Sequence, residues 1–127
     1  MPIARIDIPA GKPAGYGKTV GDVVYETMVS ELKVPENDRF QVISEHKPGS
    51  GLVADPTYLG IERSADALIV QVTLNEGRTV EAKQAFYKAL ADGLNARVGL
   101  RREDLVVNLV EVRKENWSFG NGIAQYA

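Results

Sequence analysis

The chain repeats itself, and the repeat restricts its fold more than any other feature. Asp38 to Glu45 reads DRFQVISE and Asp104 to Glu111 reads DLVVNLVE, beginning and ending on the same residue types. Each follows a stretch with helical spacing of apolar residues that opens on Thr-Val, at Thr19 and at Thr79. Upstream of each helix lies a further strand. Pro2 to Ile8 (PIARIDI) alternates apolar with polar residues, whereas Ala67 to Leu74 (ALIVQVTL) is apolar enough to be covered on both faces. The order is therefore β-α-β twice. A helical crossover makes the strands it joins parallel, so each half contributes one parallel pair.

Local signals punctuate both halves. Thr19 predicts an N-cap, with Val20, Val24, Met28 and Leu32 as the buried stripe and Pro35 beyond the helix end. Thr79 predicts the second N-cap, with Val80, Tyr87, Ala91, Leu94 and Val98 buried and Gly99 as the stop. One domain over 1–127 results, with halves 2–46 and 67–112. They are joined by a linker, 47–66, rich in Gly, Pro and Asp, with a short apolar stretch at Tyr58 to Ile61. The tail, 113–127, ends in WSFGNGIAQYA, a run without a charged residue. A terminal tail of that kind packs on something. Either it closes the core of its own chain, or it crosses a subunit boundary or walls a pocket.

Composition excludes several chemistries. A net charge of -2 disfavours a nucleic-acid partner, which needs clustered Lys and Arg. The absence of cysteine removes disulfides, thiolate metal sites and thiol catalysis. His46, beside Lys47-Pro48-Gly49, reads as a solvated turn residue, so no metal is expected. Gly17-Lys18-Thr19 resembles the end of a phosphate loop, but Lys12 stands where the upstream glycine would have to be. No apolar run reaches membrane-spanning length and no signal peptide opens the chain, so a cytoplasmic protein without a membrane partner is expected.

Pro2 follows the initiator methionine, and a small second residue favours removal of Met1. The proline would then be a free secondary amine. An α-amino group has a pKa near ~7.7–8.0, and burial lowers it further by disfavouring the charged form. Such an amine can act as a general base or as a nucleophile towards a carbonyl. Arg78, just before a helix N-terminus, lacks the dipole reason that places cations at helix C-termini, which favours an anion-binding role. Asp38 is either a turn residue bonding to nearby backbone or a polar partner of the amine. Arg39 and Arg63 are weaker candidates for a second cation.

Pro2 with its strand, the two β-α-β halves, VPENDRFQ at 34–41 and WSFGNG at 117–122 together resemble the tautomerase superfamily, and within it the malonate semialdehyde decarboxylase group. The resemblance spans nearly the whole chain. It implies an α+β fold of two fused β-α-β units, with a four-stranded mixed sheet and two helices on one face, assembled as a homotrimer. It also implies a cofactor-free site with Pro2 and Asp38 catalytic and Arg78 binding a small carboxylate substrate. Phe40, Trp117 and Phe119 are the expected apolar contacts.

Two departures bear on the reaction. The decarboxylase group carries Arg-Pro-Arg where this chain has Glu76-Gly77-Arg78, and a tyrosine where it has Phe40. The implied activity is therefore keto–enol tautomerisation of small 2-oxo or 2-hydroxy-alkenoic acids. Decarboxylation or hydration of a 3-oxo acid, and a non-catalytic trimeric binding protein, stand as alternatives.

Overall fold

The computed structural model describes residues 2–127; Met1, whose removal the sequence suggests, lies outside the described residues. Two β-α-β units run in order: β1 (Ile3–Pro9), α1 (Tyr16–Leu32), β2 (Gln41–His46), then β3 (Leu68–Asn75), α2 (Val80–Val98) and β4 (Leu105–Val112). Each crossover leaves a parallel pair, β1 with β2 and β3 with β4, and the halves meet through antiparallel β1 and β3. The sheet order is β2-β1-β3-β4. The fold is thus the expected α+β arrangement.

Alternation decides which face the helices cover. Ala4, Ile6 and Ile8 of β1 and Leu68, Val70, Val72 and Leu74 of β3 are buried on one face, against Val20, Val24, Met28 and Leu32 of α1. On the other face Arg5 and Gln71 are exposed and Ile69 and Thr73 only half-buried. β3 is therefore not covered on both faces within this chain, as its apolar run suggested. Both helices lie on the same side.

Several boundaries differ from the sequence reading. Thr19 is not an N-cap: α1 begins three residues earlier, after Gly15 in a left-handed conformation, and the Thr19 N–H already donates to the Gly15 carbonyl at 3.0 Å. Thr79 and Gly99 do cap α2: the Thr79 hydroxyl accepts from Ala82 N–H and Gly99 is left-handed at φ 68. The buried stripe of α2 is Phe86, Leu90 and Leu94. Val80 is 63% exposed, and Tyr87 and Ala91 instead border a shallow groove with Leu105 and Val107. The helix is rotated so that its bulkiest apolar residues, one turn apart, face α1 and the sheet. β2 starts at Gln41, which leaves Asp38 in the lead-in segment. His46 ends β2, and its Nε2 lies 2.6 Å from Asp7 Oδ1, so it is a paired sheet residue and not a solvated turn.

The linker is packed on the body of the protein. Arg63 donates from Nη1 to the carbonyls of Asp55 and Tyr58, wrapping the turn around its guanidinium. Asp104, fully buried, accepts from Ser64 N–H and Ser64 Oγ at 2.7 Å each and ties the linker's end to the start of β4. Among the described residues no helix is long and apolar enough to cross a membrane.

Candidate active site

The topology gathers the candidate residues at one end of the sheet. β1 starts there, β3 and β4 end there, and α1, antiparallel to β1, terminates there. Pro2 is buried at the head of β1. The bond from Ala4 N–H to the Phe40 carbonyl, 3.0 Å, carries the β1–β2 pairing back to this end. That register sets Pro2 alongside the Asp38–Phe40 segment. Asp38 is 5% exposed, whereas Arg39 and Phe40 on its C-terminal side are exposed.

Arg78 follows the tight turn Glu76-Gly77, with Gly77 at φ 119. Its Nε donates to the Leu32 carbonyl at 2.9 Å and Nη1 to the Asn75 carbonyl at 3.1 Å. Leu32 is the last residue of α1, so the guanidinium sits at that helix's negative end. The dipole reason that the sequence did not offer comes from the other helix. Nη2 makes no hydrogen bond among the described residues. Burial lowers the Arg78 pKa, with the Glu111 charge opposing, and a guanidinium so placed remains a cation. Glu111 is itself held below its ordinary value, first by the hydrogen bond from Lys83 at 2.7 Å.

The tail supplies an apolar wall. Trp117 is 9% exposed and its Nε1 donates to Asn75 Oδ1 at 2.7 Å. Phe119 stacks on Trp117 at 5.1 Å, lies 6.0 Å from Phe40 and meets Tyr126 edge-on at 5.8 Å. Gly120, Asn121 and Gly122 all take positive φ, turning the chain back so that Gln125 Oε1 accepts from Phe119 N–H. The tail thus packs on its own chain through Trp117 and presents Phe119 and Tyr126 beside Phe40. Next to this cluster runs a groove of about 520 Å³ lined by Asn75, Glu76, Arg113, Lys114 and Tyr126 among others. Glu76 lines this groove, which meets the aromatic cluster at Tyr126.

The structure brings Pro2, Asp38, Phe40, Arg78, Trp117 and Phe119 to one end of the sheet. The two weaker cations are committed elsewhere: Arg39 pairs with Asp22 at 2.8 Å and Arg63 holds the linker. Sequence reasoning missed Asn75, which binds Arg78 through its carbonyl and Trp117 through its side chain, and Glu111, which faces Arg78 from β4. A strand-end Asn carries no distinguishing local signal, and Glu111 reads as one more exposed acid. A second concavity, about 340 Å³, lies between Pro48, Leu52 and Arg63 at the opposite end of the sheet.

The family described as "Tautomerase enzyme" matches residues 38–120. Probable tautomerase YusQ of Bacillus subtilis (strain 168) is 35% identical over 125 residues, covering 98% of either chain. The solved FG41 malonate semialdehyde decarboxylase inhibited by 3-bromopropiolate superimposes with a TM-score of 0.90 at 33% identity, over 98% of this chain and 93% of that one. A fused 4-OT wild-type symmetric trimer shares the fold at a TM-score of 0.79 and 24% identity, over 98% and 97% of the two chains. The chain belongs to the tautomerase enzyme family.

Proposed function

We propose that this protein is a cofactor-free tautomerase that uses an amino-terminal Pro2 as general base on small 2-oxo or 2-hydroxy-alkenoic acids. The observation that carries this reading is the burial of Pro2 at the same sheet end as a half-buried Arg78 and an aromatic wall. Once Met1 is removed, the Pro2 nitrogen is a secondary amine that acts as the base in its neutral form. It takes the enol proton of a 2-hydroxy-2-alkenoate as the carbonyl forms. The resulting prolinium delivers that proton to the substrate's C3, so the amine is regenerated. Arg78, with Nη2 free of partners among the described residues, holds the carboxylate and favours charge developing on the adjacent oxygen. Phe40, Phe119 and Trp117 cover the substrate's carbon chain. Asp38 orients the amine and favours its protonated intermediate.

Glu76, at the groove's edge, repels a second carboxylate and favours monoacids. The apolar Ile3, Val42 and Val110 exposed on the helix-free face support a homotrimer that buries them. A second reading, decarboxylation or hydration of a 3-oxo acid with Asp38 activating water, is favoured by the likeness to the FG41 malonate semialdehyde decarboxylase and by the burial of the Asp38 carboxylate.

Ketonisation of phenylenolpyruvate followed in the ultraviolet tests the first reading. Turnover by the wild type that falls at least ~100-fold in Pro2→Ala supports it. Wild-type-like activity in that variant sinks it, and acetaldehyde and carbon dioxide formed from malonate semialdehyde without phenylenolpyruvate turnover would favour the second reading.

A further inference from the structure

The segment that carries Asp38 is fastened to the surface of α1 on both sides of that residue. On the N-terminal side, Asn37 takes a left-handed φ of 67, and its N–H donates to the Tyr25 hydroxyl at 3.2 Å. On the C-terminal side, Arg39 Nη2 donates to Asp22 Oδ1 at 2.8 Å while its guanidinium lies over the Tyr25 ring, 5.0 Å from the centroid. Asp22 is held in turn by Lys18 at 3.0 Å, and Arg39 and Lys18 together keep its carboxyl below the ordinary range. Gln41 completes the attachment. Its Oε1 accepts from Arg39 Nε at 3.2 Å and its Nε2 donates to the Gly21 carbonyl at 2.9 Å. The approach is close: a Cβ at position 21 would lie 2.8 Å from Gln41 Oε1, so the Gln41 side chain would have to shift.

We propose that Asp22 and Tyr25 are positioning residues that fix Asp38 against Pro2 by clamping its two neighbours, Asn37 and Arg39, to α1. The placement on the helix makes this possible. Asp22 and Tyr25 are three residues apart and share one face of α1, while Val20, Val24 and Met28 on another face are locked in the core. The clamp therefore refers Asp38 to α1 and the core packed beneath it. Asn37 and Arg39 are both exposed, so these contacts hold the segment on its solvent side. A base or orienting carboxylate displaced by about 1 Å loses up to about 10² in rate, which is the scale on which such a clamp acts.

This inference rests on the functional reading above, in which Asp38 assists Pro2. Its test uses Asp22→Asn and Tyr25→Phe, alone and combined, in the wild-type and Asp38→Asn backgrounds. Tyr25→Phe keeps the ring under Arg39 and removes only the acceptor for Asn37. The expected result is a fall of about tenfold in kcat for phenylenolpyruvate with KM changed less than twofold, and no further fall when the same changes are made in Asp38→Asn. Amide hydrogen exchange at residues 37–40 should quicken in the double variant while the β1 and β3 amides keep their protection. Unchanged kcat together with unchanged exchange overturns the clamp, as does a fall that is fully additive with Asp38→Asn. A wild type without turnover overturns the functional reading, and the positioning claim with it. Turnover that depends on Pro2 but ignores Asp22 and Tyr25 overturns the clamp alone.

Discussion

Arg78 closes the C-terminus of α1 by donating to the carbonyl of Leu32, a residue 46 positions earlier in the chain. The contact binds the second β-α-β unit to the helix of the first at the end of the sheet where Pro2 is buried. It also orients the guanidinium. With Nε and Nη1 used by backbone carbonyls, the plane of the fork is fixed before any substrate arrives.

Arg78 should consequently affect stability and catalysis separately. Arg78→Ala is expected to lower unfolding free energy by about 1 kcal/mol, the scale of a charge and hydrogen bond at a helix end. Arg78→Lys should recover part of that stability but not the activity, because an ammonium donates from one point and lacks the planar fork that reaches both carbonyls and a carboxylate together. Urea unfolding beside phenylenolpyruvate kinetics checks the pair. Equal loss of stability and activity in both variants would assign Arg78 a purely structural role.

Asp104 predicts a larger structural effect. Its buried carboxylate satisfies both the backbone and hydroxyl donors of Ser64. Asp104→Ala leaves those donors unpaired beside a cavity and should cost about 2–4 kcal/mol. Limited proteolysis should then cut within 47–66 first. A variant as stable and as resistant as the wild type would contradict the staple.

How far the sequence was legible follows the range of each interaction. The doubled β-α-β order, the α1 stripe and the Thr79 and Gly99 caps rest on neighbours within one element, and the residues alone declare them. The start of α1 was not legible, because Gly15 caps through its backbone conformation and not through a side chain. The contact of Arg78 with the end of α1 was not legible for a different reason: the helix end it serves is distant in sequence. Asn75 and Glu111 acquire meaning only when β3 and β4 end side by side. The candidate residues could be named from the sequence, but the groups that contact them could not.

Acid should weaken the fold in part through Glu111. Its folded-state pKa is depressed, first by the Lys83 hydrogen bond; burial opposes this, and the Lys83 charge, the Gly77 N–H and the Arg78 charge add to the lowering. A depressed carboxylate contributes stability that is complete above its unfolded value and is lost as pH falls through the folded one. The window therefore lies below about pH 4.3, the ordinary glutamate value. The urea midpoint of the wild type should drop further between pH 6 and pH 3 than that of Glu111→Gln. Equal drops would show that the Lys83 pair contributes nothing to the acid limb.

The central claim is that the amine of Pro2 is the reactive group, and covalent labelling tests it most directly. The protein is incubated with 3-bromopropiolate, the inhibitor present in the FG41 malonate semialdehyde decarboxylase structure, and then digested and mapped by mass spectrometry. The account predicts a chain that begins at Pro2, a single adduct on that nitrogen, and loss of phenylenolpyruvate turnover in step with labelling. A chain that retains Met1, or inactivation with the adduct on another residue, would contradict it.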